Sequence, residues 1–387
     1  MALTFTDYAN ALREGIYIPK ARISLLRYED ESPYRTITGE INGGTLDVSR
    51  GNGVRRTVNI SLENIAGDFI PNRYNIWVNR KFSLELGLEI NGQDIFFPQG
   101  VFVVRNPEAV STSSSGIVNL NGVDKFSLFD GTLAGRLRGT YIIPVGNNIN
   151  TEIAFILNLF LDNPTNQIPY DANDPILQSL PSGLENTPYT IREELGGNYG
   201  NVLIQLNNML SRNMYYNEVG RLVFENDIDD SVKGSLWDFV ENEPIYLGAT
   251  QNYDFEGLRN VVVVVGDNVN GEIFDATAED RSTQSDTSIN VVGDLVTVIE
   301  DPIIYTTALA QERADYELKR LNALQSSLNI SSIPLYHLDV DKVISVTDSR
   351  LGLDDARFLI ESFSLPLIPG EIMNISVVRS AELEIGA

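Results

Sequence analysis

The chain has one histidine, His337, and no cysteine. That composition excludes two-histidine metal sites, thiolate ligands, a cysteine nucleophile and disulfide staples. Acid/base catalysis by His337 would need a partner to orient it, and its apolar neighbours Leu335, Tyr336 and Leu338 read as an ordinary strand position instead. Asp227, Asp229 and Asp230, and Asp354 with Asp355, are clustered as a glycosidase carboxylate pair would be, but read better as solvated turns. Asp171-Ala172-Asn173-Asp174 offers oxygen ligands of the kind calcium takes, without the glycine and distal glutamate of a calcium loop. Gly196-Gly197-Asn198-Tyr199-Gly200 precedes a helical pattern but lacks a P-loop lysine and dinucleotide spacing, so it reads as a loop that starts a helix. Trp77, Trp237 and 16 tyrosines could supply sugar-stacking platforms; core and subunit-interface packing is the commoner use. No catalytic, cofactor-binding or metal residue is therefore assigned, and no enzyme is expected.

The surface chemistry points the same way. With 53 acidic against 28 basic residues the net charge is -25, which repels nucleic-acid phosphates and anionic membranes and disfavours stable binding to either. It also serves solubility. Residues 1–8 lack the pattern of a signal peptide. The most apolar runs, Val261 to Val265 and Ala154 to Leu161, are much shorter than the roughly 20 residues that cross a bilayer. A soluble protein made in a cytoplasm is expected.

At 387 residues, 43% of them hydrophobic, the chain exceeds one ordinary core and predicts two or three domains. Thr6 is placed to cap a first helix that stops at Gly15. Strands follow. Phe82, Leu84, Leu86, Leu88 and Ile90 alternate with polar residues and glycine, as do Val58, Ile60 and Leu62. Ile95 to Val104 reads as two strands broken at Pro98-Gln99-Gly100, and Gly116 to Val123 closes the set. Residues 1–125 thus form an N-terminal tube-like β module. Residues 126–245 change character: Thr151 and Asn201 each precede a helical apolar spacing, and Asn217 to Gly220 joins a hairpin. This is a middle α/β domain. Residues 246–387 return to strands, with a polar loop region at about 266–304, within which 275–290 reads as exposed loop, and a helix over 307–324. That helix carries an apolar stripe from Ala310 to Leu324 and an Asp315–Lys319 pair. The fold class is mainly β with an α+β insert: two tube-like antiparallel β-barrel modules flanking a mixed middle domain.

The two β regions can be superposed. Lys81 to Leu84, Gly100 to Val104 and Gly116 to Leu120 match Lys342 to Val346, Ala356 to Ile360 and Gly370 to Ile375 in order. Three chains, each with two like modules, would present six modules on one face and threefold symmetry elsewhere.

In its order of elements the chain resembles the baseplate-hub or tail-hub family of tailed phages. The resemblance rests on the opening helix, Phe82 to Val104, and Asn207 to Phe224 with Tyr215-Tyr216 and Gly220-Arg221-Leu222. It continues through 307–324, Pro334, Leu338-Asp339-Val340, the Phe358 strand and Gly370-Glu371-Ile372-Met373. It implies a homotrimeric, non-enzymatic virion protein at the tail tip, assembled in the host cytoplasm. Such a hub adapts a sixfold tail tube, or distal tail ring, to a threefold central spike. Tape-measure protein and then DNA pass through its lumen during ejection. It implies no cofactor and no catalytic residue; an added wall-degrading domain is not expected, since Ala387 follows soon after the last strand. A distal-tail or receptor-binding subunit, the hub of a bacterial contractile injection system, and a free-standing hydrolase are the alternatives.

Overall fold

The computed structural model describes residues 3–28, 30–112, 115–158, 186–187, 189–209, 212–226, 233–253, 255–269, 272–301, 304, 306–323 and 326–379. Helix α1 (Phe5–Glu14) opens the chain, capped by Thr4, not Thr6. Thr4 and Asp7 form a reciprocal capping box, and Gly15 closes the helix at φ 68°, donating to the Ala11 carbonyl. An early start is also seen in α2 (Ile149–Asn158) and α3 (Tyr199–Asn208). Asn148 and Asn198 accept from the backbone N–H of Thr151 and Asn201, the residues that precede each helical apolar spacing. Most core-facing apolar residues come from the second turn onward, although Ile149 at the start of α2 is buried as well.

Strands β1 (Ile18–Leu26), β2 (Pro33–Ile37), β3 (Ile41–Ser49), β4 (Arg56–Glu63), β5 (Lys81–Ile90), β6 (Gln93–Ser111) and β7 (Gly116–Asp124) form the N-terminal half. The middle segment carries a β8 (Tyr141–Ile143) and β9 (Ile191–Glu193) pair, α2, α3, and a hairpin of β10 (Arg212–Tyr216) and β11 (Leu222–Asn226). The chain then supplies β12 (Ser235–Val240) and β13 (Tyr246–Tyr253). A satellite unit follows: β14 (Val261–Val269), β15 (Glu272–Glu279), the short α4 (Ile289–Val292), β16 (Val296–Asp301) and α5 (Thr307–Ala323). The chain ends on β17 (Ser326–Ser332), β18 (Val343–Asp348), β19 (Leu353–Pro366) and β20 (Met373–Arg379).

The fold is mainly β with a mixed α/β insert. Its two β regions join into one 13-stranded sheet in the order β13-β17-β20-β19-β3-β4-β7-β6-β5-β1-β2, with β18 beside β19 and β12 beside β18. The seam is the antiparallel pairing of β3 with β19, from Thr45 opposite Pro366 to Ser49 opposite Ser362. One core runs beneath it, from Leu84 and Leu88 through Leu46, Val48, Phe363 and Leu365 to Ile344 and Ile375. Phe82, Leu84, Leu86, Leu88 and Ile90 all point into that core. The break expected at Pro98-Gln99-Gly100 is a bulge within β6: Leu84 faces Gly100 and Glu85 faces Pro98, leaving Gln99 as the extra residue.

The strand order reveals the duplication more clearly than the sequence does. If each half is numbered in chain order (β1, β3, β4, β5, β6, β7 and β12, β13, β17, β18, β19, β20), both have the spatial order 2-3-6-5-4-1. They differ at one link, β1 running antiparallel to β5 and β12 parallel to β18. The satellite unit is an insertion between the second and third strands of the later half.

Within 275–290, expected as exposed loop, 275–279 belong to β15 and 289–292 to α4. The period-two pattern of β15 is carried by alanines: Ala276 and Ala278 are buried against Ala310 and Ala314 of α5, with Val262 and Val264 of β14 in the same core. Alanine has too little apolar surface to make a strand stand out, yet its size lets helix and sheet approach closely. The i,i+4 ion pair on α5 is Arg313–Glu317 at 2.8 Å, and Asp315 accepts from Gln311 at 3.0 Å. Among the described residues no helix is long and apolar enough to cross a membrane.

Because one core spans the seam, Leu365→Ala should cost about 2–5 kcal/mol. Amide exchange in β5 and β18 should accelerate together; loss of protection confined to β18 would show the halves to be independent.

Candidate functional site: a buried charge junction

Strand β4 alternates outward with inward residues, and Arg56 falls on the inward set with Val58, Ile60 and Leu62. Arg55 precedes it just outside the strand and is buried too. Two adjacent guanidinium groups out of water require acceptors. Arg56 Nη2 donates to both carboxylate oxygens of Asp339, at 2.7 and 2.6 Å, and Nη1 donates to the Gln99 carbonyl at 3.2 Å. Arg55 Nη1 donates to Asp341 Oδ2 at 2.7 Å and Nε to the Gly51 carbonyl at 2.6 Å. Arg50 Nε lies 2.6 Å from Asp341 Oδ1. Both acceptor carboxylates belong to the crossover between β17 and β18, nearly three hundred residues away in sequence.

The backbone of the arginine pair is fixed from the other side. Arg55 and Arg56 N–H groups donate to Asp124 Oδ2 at 2.7 and 3.0 Å, and Phe126 N–H donates to Oδ1 at 3.0 Å. Asp124 is fully buried at the end of β7, and burial raises its pKa to about 6 despite those donors. The β6 bulge turns Gln99 toward the same crossover, where Nε2 donates to the Tyr336 carbonyl at 2.7 Å.

The middle segment docks on the same groups. The Arg55 guanidinium lies 3.4 Å from the Tyr215 ring centre, and Lys125 Nζ lies 5.2 Å from that of Tyr216, so each of two consecutive strand residues meets a cation. Gly53 N–H donates to the Met214 carbonyl at 3.0 Å, and Met214 N–H donates to Asn52 Oδ1 at 2.8 Å. Lys125 and Lys81 both pair with Glu31, Lys125 at 3.1 Å; burial lowers the Lys125 pKa to about 8. At the hairpin tip Gly220, φ 76°, packs against Val101 with no room for a Cβ.

His337 lies in a turn of the crossover, not in a strand. Pro334 follows the end of β17, and the apolar neighbours that suggested a strand are buried by the turn. The imidazole sits among Phe5, Tyr8, Phe97 and Trp237, with Nδ1 3.3 Å from Tyr8 Oη. Burial lowers its pKa to about 4. Asp354 and Asp355 lie exposed at the start of β19. The Gly196–Gly200 loop leads into α3, where Asn201 Nδ2 donates to Glu193 at 2.9 Å. Trp77 is about half exposed and Trp237 buried. Asp171–Asp174, Asp227, Asp229 and Asp230 lie outside the described residues. Among the described residues no three His, Asp or Glu side chains are grouped to hold a metal. The charges are arranged to join segments: each one found buried at the junction faces a residue of another element.

Two outcomes follow from this geometry. Asp341→Ala leaves Arg55 buried without its carboxylate and should lower the unfolding free energy by about 3–5 kcal/mol in urea titration. His337 is neutral when folded down to about pH 4, whereas the unfolded residue takes a proton near 6.5, the ordinary value for histidine. Its contribution is therefore present above 6.5 and lost as pH falls toward 4, by about 3 kcal/mol. Wild-type stability should drop more between pH 7 and 4.5 than that of His337→Gln; equal drops would remove the histidine from the account.

Neither protein-family models nor curated proteins match the sequence. Solved structures do. The 43 kDa tail protein of prophage MuSo2 from Shewanella oneidensis aligns over 93% of this chain and 98% of its own, with 14% identity and a TM-score of 0.61. A tail protein from Neisseria meningitidis MC58 covers 94% and 97%, with 11% identity and a TM-score of 0.62. Prophage tail protein gp18 from Listeria monocytogenes EGD-e covers 93% and 94%, with 12% identity and a TM-score of 0.54. The chain therefore has, over nearly its whole length, the fold of these phage tail proteins.

Proposed function

We propose that the protein is a non-enzymatic structural component of a phage virion, a subunit of a trimeric tail hub. The observation that carries this reading is the repeated strand order: two six-strand halves of like topology, joined edge to edge within one chain. A ring of three chains then offers six like units to a sixfold tail tube and a threefold face to a central spike. The fold it shares with prophage tail proteins supports the same reading. The junction described above suits this task, because it holds the two halves in one fixed relation while the middle segment is clamped to the arginine side of it. Three copies would triple the net charge of -25; acidic groups facing a central passage would let tape-measure protein and DNA slip through without adhering.

Sedimentation of the full chain, alone and with the neighbouring tail proteins, together with negative-stain imaging, tests the proposal. The expected result is a trimer with a central hole. A monomer or dimer under both conditions would overturn it, and a neutral or basic passage would remove the role given to the charge.

A further inference from the structure

The seam inside the chain has two partners, and each half contains a version of both. In the earlier half the second strand, β3, gives its outer edge to the fifth strand of the later half, β19. The second strand of the later half is β13, and among the described residues it ends the sheet. The fifth strand of the earlier half is β6.

The correspondence holds residue by residue. β3 meets β4 with Ile41 opposite Leu62, then steps to Gly43 opposite Ser61 and runs to Val48 opposite Arg56. β13 meets β17 with Tyr246 opposite Ser332, then makes the same step to Gly248 opposite Ser331 and runs to Tyr253 opposite Ser326. Thr45, where the seam begins, therefore matches Thr250. On the other partner, Phe358 of β19 faces Ile344 as Phe102 of β6 faces Phe82, all four buried. Counting on from those phenylalanines, the seam stretch Ser362–Pro366 matches residues 106–110.

In β19 that stretch is covered: Phe363, Leu365 and Pro366 are buried by β3 and the core beneath. In β6 it is open. The ladder to β5 ends with Val103 opposite Lys81, and beyond the bond from Val104 to the Arg80 carbonyl no strand lies on that side among the described residues. Asn106 and residues 108–111 are exposed, with Val110 at 40%. On β13 Leu247 and Tyr253 are 52% and 57% exposed. A strand of this length with apolar side chains at a sheet end is an invitation to pairing that proteins usually block with charge or a bulge.

We propose that β13 of one copy pairs antiparallel with residues 107–110 of β6 in a second copy, repeating between chains the seam that β3 and β19 make within one. Thr250 then faces Val110, Gln251 faces Ala109, Asn252 faces Glu108 and Tyr253 faces Pro107. The contact is head to tail: each chain offers β13 on one side and β6 on the other, so copies add until the ring closes. The inference rests on the hub reading and names the edges that build it.

The absence of cysteine makes the test clean. A full chain carrying both Gln251→Cys and Ala109→Cys should, on mild oxidation, form disulfide-linked multimers that stop at the ring size. A chain with Gln251→Cys alone mixed with one carrying Ala109→Cys alone should give a covalent dimer and nothing larger. Efficient self-linkage of either single variant would show a twofold contact and overturn the assignment. Failure to cross-link while the wild type still sediments as an oligomer would overturn these edges and leave the hub standing. A wild type that stays monomeric under all conditions would overturn the hub itself.

Discussion

Two adjacent arginines placed out of water are the constraint on which the rest of the structure depends. Arg56 occupies an inward position of a strand whose other inward residues are aliphatic, and Arg55 beside it is equally buried. Neither charge can be left alone there, because an unpaired buried ion costs several kcal/mol. Their carboxylate partners come from far along the chain, Asp339 and Asp341 on the crossover into β18, while Asp124 at the end of β7 accepts from the backbone N–H of both arginines. Replacing such a pair with matched apolar residues is often neutral or stabilising in general. Its value here lies in selection among packings, since only one placement of the crossover on the N-terminal half brings both carboxylates to both guanidinium groups.

That selection explains how a duplicated fold keeps its halves distinct. Two like sheets could meet in several edge combinations, because an open strand edge pairs with little discrimination. Arg55 and Arg56, the Gln99 bulge and the rings of Tyr215 and Tyr216 lie on the N-terminal side of the seam, and Asp339 and Asp341 reach the arginines from the other side. They bias the chain toward β3 with β19. The middle segment is thus a brace as much as a domain, contributing a core of its own around Ile153, Leu203 and Leu206 and two aromatic rings to the joint.

Much of the β framework was legible from period-two alternation, because Phe82 to Ile90 and Val58 to Leu62 each show one face to a large core. The caps Thr4, Asn148 and Asn198 lie two or three residues ahead of Thr6, Thr151 and Asn201, because a cap bonds the backbone before most of the core-facing residues begin. β15 escaped notice since alanine marks a face by size and hardly by hydrophobicity. At His337 a buried turn and a strand share the same run of apolar residues, so local pattern does not distinguish them. The junction itself left a trace: Arg56 breaks the aliphatic parity of Val58, Ile60 and Leu62, and Asp339 and Asp341 alternate with Leu338 and Val340. Recognising that these breaks answer one another requires knowing that residues 56 and 339 meet, and local pattern carries no such information.

The seam also has a history within each molecule. β3 leaves the ribosome roughly 300 residues before β19, and at 5–20 residues per second that interval lasts about 15–60 s. Throughout it the N-terminal strands can fold while the edge of β3 stands open. The strand that will fill it does not yet exist, whereas β6 of the same nascent half, and of every neighbouring nascent chain, already does. A chain built to present like edges between copies must therefore keep them from meeting too early, and the order of synthesis makes the internal seam one of the last contacts to form. Slow, late closure of that seam would leave a window in which chains on one messenger exchange strands and emerge entangled.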